Sequence, residues 1–221
     1  MKNFNKITEL ILITASLLTI VILWDTKIIY PVKLMFILFH EASHALATFL
    51  TGGKIVGIEL NNNLSGGCVA EGGSNLLIAL SGYPGSFLIA ALLFFSAYNK
   101  KLKLISAFGI PAALVFIAAN FIEDTVMSII ILIIAAAFFV IARFTPEALN
   151  RLFFRIIGLT GLIFVALDLF ADSTGENLIR SDVALLSRQS GIPEFAWIAL
   201  WLLIFLVLFW YMGKKIIFNK N

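Results

Sequence analysis

Apolar residues in this chain fall into long, nearly continuous runs separated by short polar joints. Each run is close to the roughly 20 residues that a helix needs to cross a bilayer. The pattern predicts an all-α polytopic membrane protein with about seven transmembrane helices (six to seven), built as a single integral-membrane domain over residues 1–221. The predicted spans are residues 7–24, 31–50, 76–98, 104–121, 126–141, 153–169 and 193–212.

One stretch, residues 54–73, is too polar to cross a membrane and too short to form a domain. Residues 54–60 have the composition of a β-strand, residues 61–67 are rich in Asn, Ser and Gly, and residues 68–71 can return as a second strand. The sequence therefore predicts a short β-hairpin-like insertion that lies at the membrane surface or dips toward the interior.

Composition agrees with this class of protein, since 61% of the residues are hydrophobic and only 13% are charged. The net charge of +3 is small, and the lysines and arginines cluster between apolar runs. They are interpreted as orientation signals and not as a nucleic-acid surface, so the expected surroundings are the lipid bilayer of the cell membrane. The single Cys68 excludes an internal disulfide and a Cys-rich metal cluster, and nothing in the sequence indicates an oligomeric state.

The basic joints also predict an orientation. With seven alternating spans, Lys27 and Lys33, residues 100–103, residues 143–155 and residues 214–215 fall on one side of the membrane. The positive-inside rule then puts the C-terminus in the cytoplasm and the N-terminus outside, although Lys2 and Lys6 argue against the second assignment.

The candidate chemistry lies in the second run, at His40-Glu41-Ala42-Ser43-His44. Histidines four residues apart share one face of a helix, so both imidazoles can reach one metal ion. Glu41 follows His40 directly and can serve a metal-activated water as general base. Ionisable groups inside an apolar helix are costly and are by default functional, which makes the pattern more specific here than in a soluble protein.

A catalytic zinc site needs a third protein ligand and an open position for water. The chain has no third histidine, so the ligand is a carboxylate or, as a weaker candidate, Cys68. Asp168 is favoured because it is embedded in an apolar run, where an unpaired carboxylate costs about 3 kcal/mol. Asp172 lies one helical turn later on the same face, and Asp182 is an alternative that also fits an ordinary helix start. The remaining candidates are Glu71, Glu123 and Asp124.

Three motifs of the chain belong together. They are His40-Glu41-Ala42-Ser43-His44-Ala45-Leu46 with Thr51-Gly52-Gly53; Leu80-Ser81-Gly82-Tyr83-Pro84-Gly85-Ser86; and Asp168 with Ser181-Asp182-Val183-Ala184-Leu185-Leu186, Ser190-Gly191-Ile192-Pro193 and Trp197. These motifs resemble the site-2 protease family of intramembrane zinc metalloproteases, and more closely its small membrane-only branch. The chain lacks the Asn-x-x-Pro-x-x-x-x-Asp-Gly form of the third-ligand motif found in the better-known branch.

The resemblance implies Zn²⁺ held by His40, His44 and an aspartate on a later helix, with Glu41 activating water. It implies hydrolysis of peptide bonds in membrane-embedded protein substrates, with the hairpin lining the approach to the site. Two alternatives stay open: a non-proteolytic metal-binding membrane protein or transporter using the same His/Asp site, and a pseudo-enzyme that chaperones membrane partners. Only the protease requires a carboxylate at position 41.

Overall fold

The computed structural model describes residues 5–61, 63–174 and 181–218, except for the side chains of residues 172–174. This part of the chain contains helices and one two-stranded sheet, in agreement with the predicted fold class. In chain order the elements are α1 (Lys6–Ile22), α2 (Tyr30–Leu50), β1 (Lys54–Leu60), β2 (Gly66–Glu71), α3 (Asn75–Ser96), α4 (Lys100–Phe121), α5 (Thr125–Phe144), α6 (Glu147–Thr174), α7 (Asp182–Ser190) and α8 (Glu194–Phe218).

Five helices of the described chain are long and apolar enough to cross a membrane, namely α3, α4, α5, α6 and α8. The protein is therefore an integral multi-pass membrane protein, with fewer such helices than the six to seven predicted. The first predicted span, residues 7–24, forms the 17-residue helix α1, which is shorter than each of these five helices. The second forms α2, whose 21 residues extend over about 31 Å and carry the histidines.

Close packing of α6 against α3 and α2 forms the centre of the bundle. A Cβ atom on Gly158 of α6 would lie 2.5 Å from the backbone nitrogen of Phe94 in α3, so only glycine permits this approach. A Cβ on Gly161 would similarly enter the ring of Phe36 in α2. Small residues allow helix backbones to approach one another in membrane proteins, where van der Waals packing drives association.

The predicted hairpin is present as an antiparallel pair of strands, β1 and β2, with an irregularity between Ile55 and Gly57. Its base is fixed to the end of α2, because the backbone N–H of Ser74 donates to Thr51 Oγ1 at 3.0 Å. Strand β1 also reaches the end of α4, where Gly57 lies against the carbonyl oxygen of Phe121. These contacts hold the hairpin over the C-terminal half of α2.

Candidate metal centre

Both histidines lie on the buried face of α2, as their four-residue spacing predicts. His40 Nε2 lies 2.9 Å and His44 Nε2 lies 3.0 Å from the same atom, Oδ2 of Asp182. One ligand atom from each of these three residues falls within 4.8 Å of the others. Two imidazoles and a carboxylate form a donor set that suits zinc, which takes three protein ligands in catalytic sites and leaves one position for water.

Asp182 reaches the histidines because it is the first residue of α7. The helix is capped by Ser181, whose side chain accepts a hydrogen bond from the backbone N–H of Ala184 at 3.0 Å. It ends at Gly191, which has the left-handed backbone conformation of a helix C-terminus. The buried side chains of Val183 and Leu186 hold α7 against the bundle, so its N-terminus faces α2.

Electrostatics favour the charged form of Asp182. Burial alone would raise the pKa of its carboxyl group, but the neighbouring His44 and His40 outweigh burial and hold that pKa well below its usual range. Asp182 is therefore an anionic oxygen donor at neutral pH, which is the form that a metal ion binds.

Helix α3 orients the imidazole of His44. His44 Nδ1 lies 2.7 Å from the backbone carbonyl oxygen of Ile78, so its N–H donates there and Nε2 keeps a free lone pair. Ser81 Oγ donates to the same carbonyl at 2.7 Å. A hydrogen bond from the second ring nitrogen is typical of histidines that bind metals, because it fixes both the tautomer and the ring orientation.

His40 is held from the other side by residues one to two turns further along α3. Its Nδ1 lies 3.5 Å from Ser86 Oγ, which donates in turn to the carbonyl oxygen of Gly82 at 3.0 Å. The ring of Tyr83 packs edge-on against the imidazole, with the ring centroids 4.9 Å apart. The motif at residues 80–86 therefore supplies supporting contacts that its sequence alone does not indicate.

Gly82 keeps open the space that a metal ion needs. A Cβ atom at this position would lie 2.5 Å from His40 Nε2 and 2.6 Å from His44 Nε2. Zinc lies about 2.0–2.1 Å from a histidine nitrogen, so any larger residue would compete with the ion for the same volume. Both the donor set and this space fit a zinc ion.

Glu41 is buried beside the histidines and interacts with both through its charge. Strand β2 packs directly onto its carboxylate, since a Cβ on Gly66 would lie 2.8 Å from Glu41 Oε1. The predicted general base is thus enclosed between α2 and the hairpin, next to the three candidate ligands.

The third residue of this cluster is not the carboxylate that the sequence favoured as a ligand. Asp168 lies on α6, close enough to influence His40 and Asp182 through its charge but outside the cluster of candidate ligand atoms. Asp182, an alternative at the sequence level, occupies that place because α7 turns its N-terminus toward α2. The side chain of Asp172, the other alternative, lies outside the described residues.

Comparison with known protein families agrees with this site. A family model described as Peptidase M50B-like matches residues 13–212, which include every element from α2 to α7. The chain belongs to this family. Family membership identifies it as a site-2 protease-like intramembrane metallopeptidase, and it implies zinc as the metal. The chain matches none of the curated proteins or solved structures compared with it.

Proposed function

We propose that this family member is a zinc metalloendopeptidase that hydrolyses peptide bonds of membrane-embedded protein substrates. The observation that carries the proposal is the convergence of His40, His44 and Asp182 on one small volume, with Glu41 enclosed beside them. A metal-binding scaffold or transporter would need the first three residues but has no use for a buried carboxylate at position 41.

His40, His44 and Asp182 would hold the metal ion, which supplies Lewis acidity and makes water a nucleophile at neutral pH when bound. Glu41 accepts the proton of the attacking water and later donates it to the leaving amine. The carbonyl oxygen of Ile78 accepts a hydrogen bond from His44 Nδ1, and Ser86 Oγ contacts His40 Nδ1. The Nε2 lone pairs of both histidines therefore face the centre of the site. Burial of these groups strengthens every electrostatic interaction in the site, because bulk water does not screen them.

The substrate must reach Glu41 with its scissile carbonyl exposed. A carbonyl within a helix is already engaged in a hydrogen bond, so the substrate helix has to unwind where it is cut. The two strands beside Glu41 offer backbone groups that can pair with an extended segment, a common mode of peptide recognition.

Metal removal tests this function directly. Purified protein is reconstituted into lipid vesicles with a model single-span substrate, and cleavage is followed before chelation, after chelation and after zinc is restored. We expect cleavage to stop on chelation and return with zinc. Cleavage that persists after all zinc has been removed, or no cleavage with zinc bound and several substrates supplied, would contradict the proposal.

A further inference from the structure

Five side chains outside the metal site meet where α3 ends. Tyr98, in the joint between α3 and α4, is their common contact. The guanidinium carbon of Arg155 lies 4.5 Å and Nζ of Lys215 lies 5.4 Å from the centroid of its ring. Arg155 also forms an ion pair with Glu9. Together with Arg151, whose charge acts on the hydroxyl of Tyr98, these residues are called the Tyr98 cluster.

The Tyr98 cluster lies near helix termini. Glu9 is in the first turn of α1, and Lys215 is in the last turn of α8. Helix α6 has 28 residues and extends over about 42 Å, which exceeds the hydrocarbon core of a bilayer, about 30 Å thick. Arg151 is four residues, about 6 Å, from the start of α6, so the cluster reaches the depth at which phospholipid headgroups begin.

Positive charge exceeds negative charge in the cluster. Arg151, Arg155 and Lys215 are basic, and the acidic member is Glu9, which Arg155 engages. Glu147, one turn before Arg151 on α6, pairs with a residue outside the cluster, because its Oε2 lies 3.1 Å from Lys103 Nζ. Within the described part of the chain, Arg151 and Lys215 therefore form no ion pair.

Burial makes this imbalance costly. Arg155 is 2% exposed, and Arg151 and Lys215 are partly buried, so water only partly screens three like charges. The Nε–H groups of Arg151 and Arg155 are buried, and neither has a hydrogen-bond acceptor among the residues that the structure describes. A buried donor without an acceptor is destabilising. An anion held among these groups removes both penalties.

Phosphate is the anion that suits this place best. Guanidinium groups bind phosphate oxygens through paired N–H donors, and basic pockets between membrane helices bind phospholipid headgroups. The surface next to the cluster is aromatic, since the half-exposed Tyr211, one turn before Lys215, lies against Phe95 with 5.6 Å between ring centroids. Tyrosine and tryptophan are enriched where membrane proteins meet the headgroup region.

We propose that the Tyr98 cluster binds the phosphate group of an anionic phospholipid at the ends of α1, α6 and α8. Arg151 and Lys215 contact the phosphate oxygens, and Arg155 contributes its Nε–H while it remains paired with Glu9. The acyl chains follow the exposed apolar surface of α8. A soluble phosphate ion has the same chemistry, and the experiment distinguishes the two sources. The inference does not depend on the protease function, because no group of the metal site takes part.

Native mass spectrometry of the purified protein in detergent tests this binding site. The probes are phosphatidylglycerol, which is anionic, and phosphatidylcholine, whose choline group neutralises the phosphate. We expect one tightly bound phosphatidylglycerol per chain and at least about tenfold weaker binding of phosphatidylcholine, because the choline cation meets like charges. Lipid that resists excess inorganic phosphate identifies the bilayer as the source, and lipid that is displaced identifies soluble phosphate as an equal source; both results support the site.

Two variants remove one positive charge each and leave the ion pair of Arg155 with Glu9 in place. We expect Arg151→Gln and Lys215→Gln to bind phosphatidylglycerol about 10- to 100-fold more weakly, which is the strength of a hydrogen bond to a charged group. Lys215→Arg keeps the charge and should bind normally.

Lys214→Gln is the matched control. This neighbouring lysine is exposed and lies over the ring of Trp210, 5.0 Å from its centroid, and not over Tyr98. We expect its removal to weaken binding by less than about threefold, as for an exposed surface charge.

Two results overturn the proposal. Equal binding of the two lipids would show that the headgroup charge is not recognised. Equal losses in Lys214→Gln and Lys215→Gln would show a general attraction of lipid to basic residues and no defined site. Thermal unfolding without added lipid verifies that each variant folds, and Arg151→Gln and Lys215→Gln are interpreted independently, so either one decides the question.

Discussion

Replacing Asp182 by asparagine removes the negative charge next to His40 Nε2 and His44 Nε2 while keeping the size of the side chain. The hydrogen-bonding start of α7 should survive, because Ser181 and not Asp182 caps that helix. The variant therefore tests the third metal ligand with little risk to the fold.

The size of the effect follows from the number of ligands. Zinc sites with four protein ligands bind with about 10–16 kcal/mol, which is roughly 2.5–4 kcal/mol for each ligand. A loss of that size corresponds to a dissociation constant about 100- to 1,000-fold weaker. We expect this loss in Asp182→Asn.

Asp168→Asn is the matched control, since it removes an aspartate charge that acts on His40 from outside the cluster. Even direct hydrogen-bond partners of metal ligands contribute about 10- to 100-fold to affinity, so we expect less than about tenfold here. Zinc affinity is measured for both variants and the wild type by competition with a chelator of known strength in detergent. Thermal unfolding of the chelated proteins verifies that all three fold alike.

The reasoning fails if Asp168→Asn loses zinc and Asp182→Asn keeps it. That result would mean that α6, as first inferred from the sequence, supplies the ligand. Asp172→Asn belongs in the same experiment, and a selective loss of zinc in that variant would assign the ligand to the end of α6.

Three further outcomes are expected. Gly82→Ala should abolish zinc binding, because the added Cβ would enter the space beside the Nε2 atoms of both histidines. The control Gly213→Ala, whose added Cβ has no atom within 4 Å, should bind zinc normally, and equal zinc binding by the two variants would contradict the assigned metal position. Arg155→Met should lower the free energy of unfolding by about 3–5 kcal/mol, because it leaves Glu9 buried without its ion-pair partner. Adding Glu9→Gln should restore most of this lost stability in thermal unfolding, and no recovery would refute the pairing of Arg155 with Glu9. Burial, assisted by the charge of Glu41, raises the pKa of the Cys68 thiol from 9.0 to about 11. Iodoacetamide at pH 8 should therefore alkylate Cys68 about 100-fold more slowly in the folded than in the unfolded protein, and comparable rates would contradict the buried position of this thiol.

Local features of the site could be predicted because they depend on spacing within one element. The i, i+4 pair of His40 and His44 shares a helix face wherever that helix is placed, and Glu41 follows from the same pattern. The hairpin was predictable for a similar reason, since its Asn- and Gly-rich turn separates two short strand-forming runs.

The third residue of the cluster could not be predicted in this way because its position depends on tertiary structure. Asp182 is 142 residues from His40, and its place follows from how α7 packs on the bundle. The cost of a buried carboxylate drew attention to Asp168, yet Asp182 is also largely buried, and its charge is balanced by the histidines. Sequence hydropathy detects an isolated buried charge and does not detect which partner compensates it.

Substitution of Glu41 by glutamine tests the central claim most directly. Glutamine keeps the shape of the side chain but cannot accept the proton of an attacking water, and the three candidate ligands are untouched. Zinc content and cleavage of a membrane substrate are measured on the same preparations of wild type and variant. The account predicts near-equal zinc content with cleavage lost by at least the 100-fold typical of a general base. Wild-type cleavage rates in the variant with zinc bound would contradict it.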